Sequence, residues 1–192
     1  MTRMENSYLL LLPKENFDED TFNEFLRSII PTNINIVHND TYILYTFLDT
    51  SDLELEENIK AFMYDMNWHI KCYISSKFSD ENSIYDNVEI VLNYMNQALK
   101  QNVYSEKSLL NEILSKELDD IKPFILKEYL YDQEMYSIIL SLIENDLNIL
   151  KTSKAIYMHR NTLINKLDRF YEKTGYDLRH FKDMYIIYNL IK

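Results

Sequence analysis

Along the first hundred residues the apolar positions switch between the two-residue period of strands and the 3.6-residue period of helices. Tyr8 to Leu12 is a short apolar run ended by Pro13 and predicts a strand. Phe22, Phe25, Leu26, Ile29 and Ile30 then form a helical stripe within Asp20 to Ile30, stopped by Pro31. Ile34 to Val37 and Tyr42 to Phe47 are rich in β-branched and aromatic residues, and the polar cluster His38, Asn39, Asp40 and Thr41 lies between them, which is the pattern of a hairpin. Helical spacing returns over Leu53 to Met66 through Leu55, Ile59, Phe62 and Met63. Trp68 to Ser75 reads as a strand and Ser83 to Leu99 as a long helix. The predicted order is β-α-β-β-α-β-α.

From Ser105 onward the patterns are all helical. Ser105 to Leu118 comes first, then a break near Pro123 and a segment Lys122 to Leu130. Met135 to Glu144, the short Leu150 to Tyr157, Asn161 to Lys173 and Asp177 to Leu190 complete the chain. Alternating elements followed by a run of helices predict an α+β protein, an α/β unit followed by an all-α one. The expected division is residues 1–100 as the α/β domain, 101–134 as a helical linker and 135–192 as the all-α domain.

Composition supports a folded chain: 46% of its 192 residues are hydrophobic and 14% aromatic, well outside the range of disordered sequences. Charge sharpens the division. The total is −11, but residues 135–192 carry nine Lys/Arg against six Asp/Glu while residues 1–134 carry eleven against twenty-five. A net +3 segment therefore follows a net −14 one, and partners bearing phosphate are expected at the C-terminal end. No apolar run approaches the ~20 residues that span a bilayer, and Glu5, Asp18, Glu19 and Asp20 flank the first one. A cytoplasmic protein without a membrane partner is expected.

Enzymatic chemistry finds little support. The single glycine, Gly175, excludes a glycine-rich phosphate loop. His38, His69, His159 and His180 lie far apart, and with one cysteine, Cys72, they offer no metal-ligand spacing, so neither a metal nor a cofactor is expected. Cys72 sits in an apolar strand pattern and reads as a small buried residue. No Ser/His/Asp or Cys/His set is recognisable. The cluster Glu54, Glu56 and Glu57 reads as a solvated helix face, and most of the sixteen tyrosines as packing residues.

The segment Asn161 to Lys173 has the properties of a recognition helix. Successive helical residues turn by about 100°, which places Leu163, Leu167 and Phe170 in one buried stripe with Ile164 and Tyr171 beside it. The opposite sector collects Thr162, Asn165, Lys166, Arg169 and Lys173, with Arg160 at its start. A short helix, a tight turn at Met158 and His159, and a second helix with amides and cations opposite an apolar stripe meet the needs of major-groove reading.

The string Asn148 to Leu167, containing His159-Arg160-Asn161-Thr162-Leu163, and the later Thr174-Gly175-Tyr176-Asp177-Leu178 resemble the C-terminal helix-turn-helix of the PucR/CdaR family of bacterial transcription regulators. The family's core of His-Arg-Asn-Thr-Leu, a later leucine and Thr-Gly-x-Asp-Leu is matched at His159 to Leu163, Leu167, Thr174, Gly175, Asp177 and Leu178. Two positions depart. Lys166 stands where the family usually has Arg, keeping the charge but losing the planar fork. Thr152 and Ser153 replace a pair of alanines and are small enough for the same close helix contact. The first hundred residues resemble, in pattern, the degenerate GGDEF-like domain that precedes this helix-turn-helix in many members, including Tyr94 and Ala98 on the last helix. The hairpin His38-Asn39-Asp40-Thr41 lacks the Gly-Gly motif of true cyclases, so diguanylate synthesis is not expected and Asp40 reads as a turn residue.

The resemblance implies a sequence-specific regulator of transcription that binds double-stranded DNA. Asn165, Lys166 and Arg169 are expected to face the bases, with Arg160, Thr162 and Lys173 on phosphates, Asn161 beside them, and His159 capping the helix at the phosphate backbone. A single module buries only about 600 to 1,000 Å² on DNA, so a homodimer is expected, with the acidic α/β unit and the helix Ser105 to Leu118 supplying its interface. The resemblance leaves room for a small-molecule effector and passes on no identity for one. The alternative is a protein-interaction or ligand-sensing module whose helix-turn-helix no longer binds DNA.

Overall fold

The computed structural model describes residues 5–14, 17–48, 54–97, 100–114 and 118–192, without the side chain of Glu81. Leu53, Ala98 and Leu99, and positions 115–117 within the expected helix Ser105 to Leu118, lie outside the described residues. By packing, the chain divides into two compact units, residues 1–113 and residues 114–192.

The first unit opens with β1 (Asn6–Leu12), α1 (Glu19–Ile29), β2 (Asn35–His38), β3 (Ile43–Leu48), α2 (Leu55–Asp65), β4 (Lys71–Ile74) and α3 (Glu81–Gln97). This is the order expected from the apolar pattern. Two further elements follow, β5 (Val103–Ser105) and α4 (Glu106–Ile113). The five strands form one sheet in the order β2-β3-β1-β4-β5, antiparallel throughout except for the parallel β4–β5 pair. β5 is an addition to the predicted elements: three residues are too few to show a period, and their register with Cys72, Tyr73 and Ile74 is a non-local pairing.

Alternation along the strands divides the core in two. Leu9, Leu11, Ile43, Tyr45, Phe47, Cys72, Ile74 and Val103 face Phe22 and Leu26 of α1 and Ile59 and Met63 of α2. Rings dominate this side, where Phe25 and Phe62 stack at 3.9 Å and Trp68 meets Phe17 edge-on at 5.2 Å. Tyr8, Leu10, Leu44 and Tyr73 take the opposite face and are equally sealed. There the Tyr8 hydroxyl donates to Asn87 Oδ1 of α3 at 2.6 Å. Burial pushes the Tyr8 and Tyr73 phenols well up, with the Glu106 carboxylate adding to the shift. Cys72 is fully buried on the α1 and α2 side of the core, and burial likewise raises its thiol.

The expected hairpin forms between β2 and β3, closed by Asn39 N–H donating to Tyr42 O at 2.9 Å. Asp40 is exposed in its turn, and His38 Nε2 lies 2.7 Å from Glu19 Oε1.

The second unit is helical: α5 (Lys122–Leu126), a 3-10 turn Lys127–Tyr129, α6 (Gln133–Glu144), α7 (Ile149–Ala155), α8 (Arg160–Thr174) and α9 (Phe181–Ile191). Pro123 does not break a helix; it occupies the first turn of α5, where its missing N–H costs nothing. That helix ends at Leu126, short of the expected Leu130, because Lys127 takes a left-handed φ of 51°. α6 packs on α7 and α9, burying Ile138, Ile139 and Leu142, while Met184, Ile186, Ile187 and Leu190 of α9 are also buried. α9 starts four residues later than the pattern suggested, because Tyr176 and Leu178 are drawn into the core as a loop.

Candidate nucleic-acid interface

Each helix around the site is delimited by local chemistry. Asp132 caps α6 by accepting from Met135 N–H at 2.9 Å, and Asn148 caps α7 by accepting from Lys151 N–H at 3.0 Å. Between them Asp146 and Leu147 take left-handed φ values of 56° and 58°, which turn the chain abruptly. α7 is only seven residues long, and its Thr152 and Ser153 are buried where it meets α8. Small side chains at these two positions let the helix backbones approach.

The turn from α7 to α8 is equally tight. Tyr157 takes a φ of 52° with its ring almost wholly in solvent, 98% exposed, and Met158 N–H returns to Ser153 O at 2.8 Å. His159 then caps α8, its Nδ1 accepting from Asn161 N–H at 3.2 Å. With Nδ1 accepting, the neutral ring carries its proton on Nε2. At the far end Gly175 terminates α8 with a φ of 78° and an N–H bond to Tyr171 O at 2.7 Å.

α8 presents two faces. Leu163, Leu167, Phe170 and Thr174 are buried, and the Phe170 ring lies 4.8 Å from that of Tyr129. On the other side, Arg160, Asn161, Thr162, Asn165, Arg169 and Lys173 are exposed and Lys166 is half-buried. All eight residues expected at the interface thus lie on one helix and its cap.

The structure nevertheless separates them into two groups. Among the described residues, no hydrogen bond or ion pair engages the side chains of Arg160, Asn161, Thr162 and Asn165. The cations further along the helix are held by acids from the segment before it. Lys166 Nζ sits 2.8 Å from Glu134 Oε2 of α6, Arg169 Nη2 sits 3.2 Å from Glu128 Oε1, and Lys173 Nζ sits 4.0 Å from Glu128 Oε2. Burial and the Glu128 carboxylate push the neighbouring Tyr129 hydroxyl up, against the pull of Arg169. Behind α8, Arg179 bridges Asp168 and Asp177 at 2.7 Å each. Burial alone would raise the Asp177 carboxyl, but its bonds from Arg179 outweigh this and hold it below the usual range.

Several charges around the site were not singled out in the sequence. Lys151 and Lys154 are exposed on α7, adding positive charge on the helix that packs against α8; two lysines three apart in the helix before the turn were the available signal. Glu128 and Glu134 offered none, because they lie 41 and 32 residues from their partners Arg169 and Lys166. No three His, Cys, Asp or Glu side chains converge as metal ligands among the described residues, and no helix among them is long and apolar enough to cross a membrane.

Comparison with known proteins places this geometry. The carbohydrate diacid regulator of Escherichia coli strain K12 is 51% identical over 39 residues, 20% of this chain and 10% of that protein. An uncharacterised protein of Bacillus subtilis strain 168, YxkF, is 30% identical over 84 residues, 44% of this chain and 26% of its own length. The chain thus spans about a quarter or less of these two relatives. Among solved structures, a regulator of polyketide synthase expression from Bifidobacterium adolescentis aligns over 97% of this chain and 79% of its own, with a TM-score of 0.49 and 16% identity. Residues 138–189, from α6 through most of α9, match the PucR C-terminal helix-turn-helix domain. The chain therefore carries a PucR-type helix-turn-helix, with α7 and α8 as its two helices.

Proposed function

We propose that this chain is a sequence-specific, double-stranded-DNA-binding regulator of transcription that acts in the cytoplasm as a homodimer, with α8 in the major groove. The observation that carries the reading is the amino-terminal half of α8. There Arg160, Asn161, Thr162 and Asn165 stand unpartnered in solvent, with Asn161 and Asn165 across the helix from the sealed Leu163, Leu167 and Phe170 stripe. An asparagine amide offers the paired donor and acceptor that match adenine, and arginine or lysine matches guanine.

In this reading Asn165, Lys166 and Arg169 read base edges. Arg160, Thr162 and Lys173 hold phosphates, Asn161 lies beside them, and His159 keeps its cap while offering Nε2–H to the backbone. The α/β unit is a degenerate GGDEF-like domain. Its β-α-β-β-α-β-α order and its hairpin without a Gly-Gly motif support that assignment; β5 and α4 extend that unit to residue 113, so the linker expected over 101–134 shortens to the segment after α4 that leads to the DNA-binding domain 135–192.

Selection of genomic DNA fragments on the purified chain tests the reading, run beside Arg160→Ala/Asn165→Ala. Each good base contact contributes about 1 to 3 kcal/mol of discrimination, so an enriched fragment should be recovered by the wild type and lost by the variant. Recovery of the same unenriched fragments by both would overturn it.

The second reading, a helix-turn-helix retained for docking a protein, draws support from the pairing of Lys166, Arg169 and Lys173 with Glu134 and Glu128. Salt separates the two, since contact through several phosphates makes log affinity fall steeply with log salt.

A further inference from the structure

We infer that Glu128 and Glu134 belong to the DNA-binding surface, as built-in competitors of DNA phosphate for the cations of α8. The inference rests on the DNA-binding reading and deepens it by adding two carboxylates that set how tightly any duplex is held.

Thr162, Lys166, Arg169 and Lys173 recur at four, three and four residues, which makes one stripe along α8. Every cation of that stripe faces a carboxylate: Lys166 meets Glu134 at 2.8 Å, Arg169 meets Glu128 at 3.2 Å and Lys173 meets Glu128 at 4.0 Å. Three positive charges are thereby reduced to a net of one. Neither carboxylate hangs on a loose segment. Glu128 precedes Tyr129, whose ring packs 4.8 Å from Phe170 of α8 itself. Glu134 lies in the first turn of α6, between its Asp132 cap and the buried Met135. The acids are held where the recognition helix is held.

Their effect follows from how DNA attracts protein. Affinity for a duplex of any sequence comes from cations that neutralise phosphates and release condensed counterions. A lysine or arginine already facing a carboxylate must give up that partner to do so, and the freed carboxylate then stands close to the phosphates. The pairs are solvent-accessible, with side chains between 35% and 68% exposed, and exposed pairs add little to folding stability. Their consequence is therefore felt in binding rather than in the fold. Arg160, Asn161 and Asn165, which need no exchange, remain ready at the start of the helix.

The test uses the full chain with Glu128→Gln/Glu134→Gln. A second variant, Glu144→Gln/Asp146→Asn, removes the same two charges without touching any of these pairs. Binding to a selected genomic fragment and to a random duplex of equal length is followed by fluorescence anisotropy across a salt series. Circular dichroism melting confirms that each protein is folded.

The Glu128/Glu134 variant should bind both duplexes about tenfold more tightly at physiological salt. Its slope of log affinity on log salt should steepen by about one to two, given about 0.9 per phosphate contact. The control variant should gain clearly less. Equal gains by the two variants would reduce the effect to net charge and overturn the inference, as would unchanged affinity in the first. If the wild type and both variants show no salt-dependent binding to any duplex, it is the DNA-binding reading that fails, and the inference falls with it.

Discussion

The two units of this chain reach a buried core by different routes. In the α/β unit, Phe17, Phe22, Phe25, Phe62 and Trp68 pack ring on ring beneath a sheet whose central strand pairs with partners far along the chain, Asn6 with Leu48 and Leu9 with Ile74. In the helical unit the core is mostly aliphatic, from Ile138 and Leu142 through Leu163 and Leu167 to Ile187 and Leu190. Its helices follow one another with short connections and their ends are set by nearby residues. The charges differ as well, net −14 before residue 135 and +3 after it. The unit assembled from local contacts is also the one that carries the PucR-type helix-turn-helix.

The largest expected effects break this comparison open by emptying one core at a time. Phe22 is fully buried among rings, and Phe22→Ala should cost roughly 3 to 5 kcal/mol. Trp68, the single tryptophan of the chain, lies 6.3 Å from Phe22 and reports on this unit. Leu167→Ala in the helical core should cost roughly 2 to 5 kcal/mol. In urea, the first variant should shift the Trp68 emission midpoint, and the second should shift the helical ellipticity while leaving Trp68 emission in place. If both probes move together in both variants, the units unfold as one and the comparison loses its thermodynamic meaning.

An intermediate effect is expected at the end of α8. Gly175 has a φ of 78°, yet a Cβ placed there would meet nothing within 4 Å. Gly175→Ala should therefore cost only the backbone conformation, about 1 to 2 kcal/mol, and Gly175→Asn less. Thermal melts of the two variants check this, and equal losses would mean that something other than φ governs the position.

The smallest effect sharpens the electrostatic side. The Asp177 carboxyl is held below its usual range in the folded chain by Arg179. A depressed acid contributes stability that is fully present above the unfolded value of about 3.9 and is lost as the pH falls through the lower folded value. Asp177→Asn should accordingly flatten the acid limb by lowering the stability of the helical unit modestly at neutral pH and leaving it nearly unchanged in strong acid, where the wild-type carboxyl is protonated too, as urea melts across a pH series would show.

Much of this was legible in the residues. Spacing alone gave the seven alternating elements of the α/β unit, because strand and helix periods are local properties. The His159 to Leu163 string and Thr174-Gly175 gave the helix-turn-helix, because caps and a left-handed terminator act over a few residues. β5 was not legible: Val103–Ser105 is a strand because Cys72 to Ile74 lies alongside it. Nor was the end of α5, where Lys127 turns left-handed within an unbroken helical pattern.

The candidate site shows the same divide at the level of single side chains. Which residues line the outward face of α8 follows from the turn of a helix, so Arg160, Asn161, Thr162, Asn165, Lys166, Arg169 and Lys173 could be named from the order of residues. How many of those charges are available depends on packing. Glu134 reaches Lys166 across 32 positions and Glu128 reaches Arg169 across 41. An ion pair between helices is a matter of where two backbones come to rest, and that position is a property of the folded core rather than of any short stretch of chain.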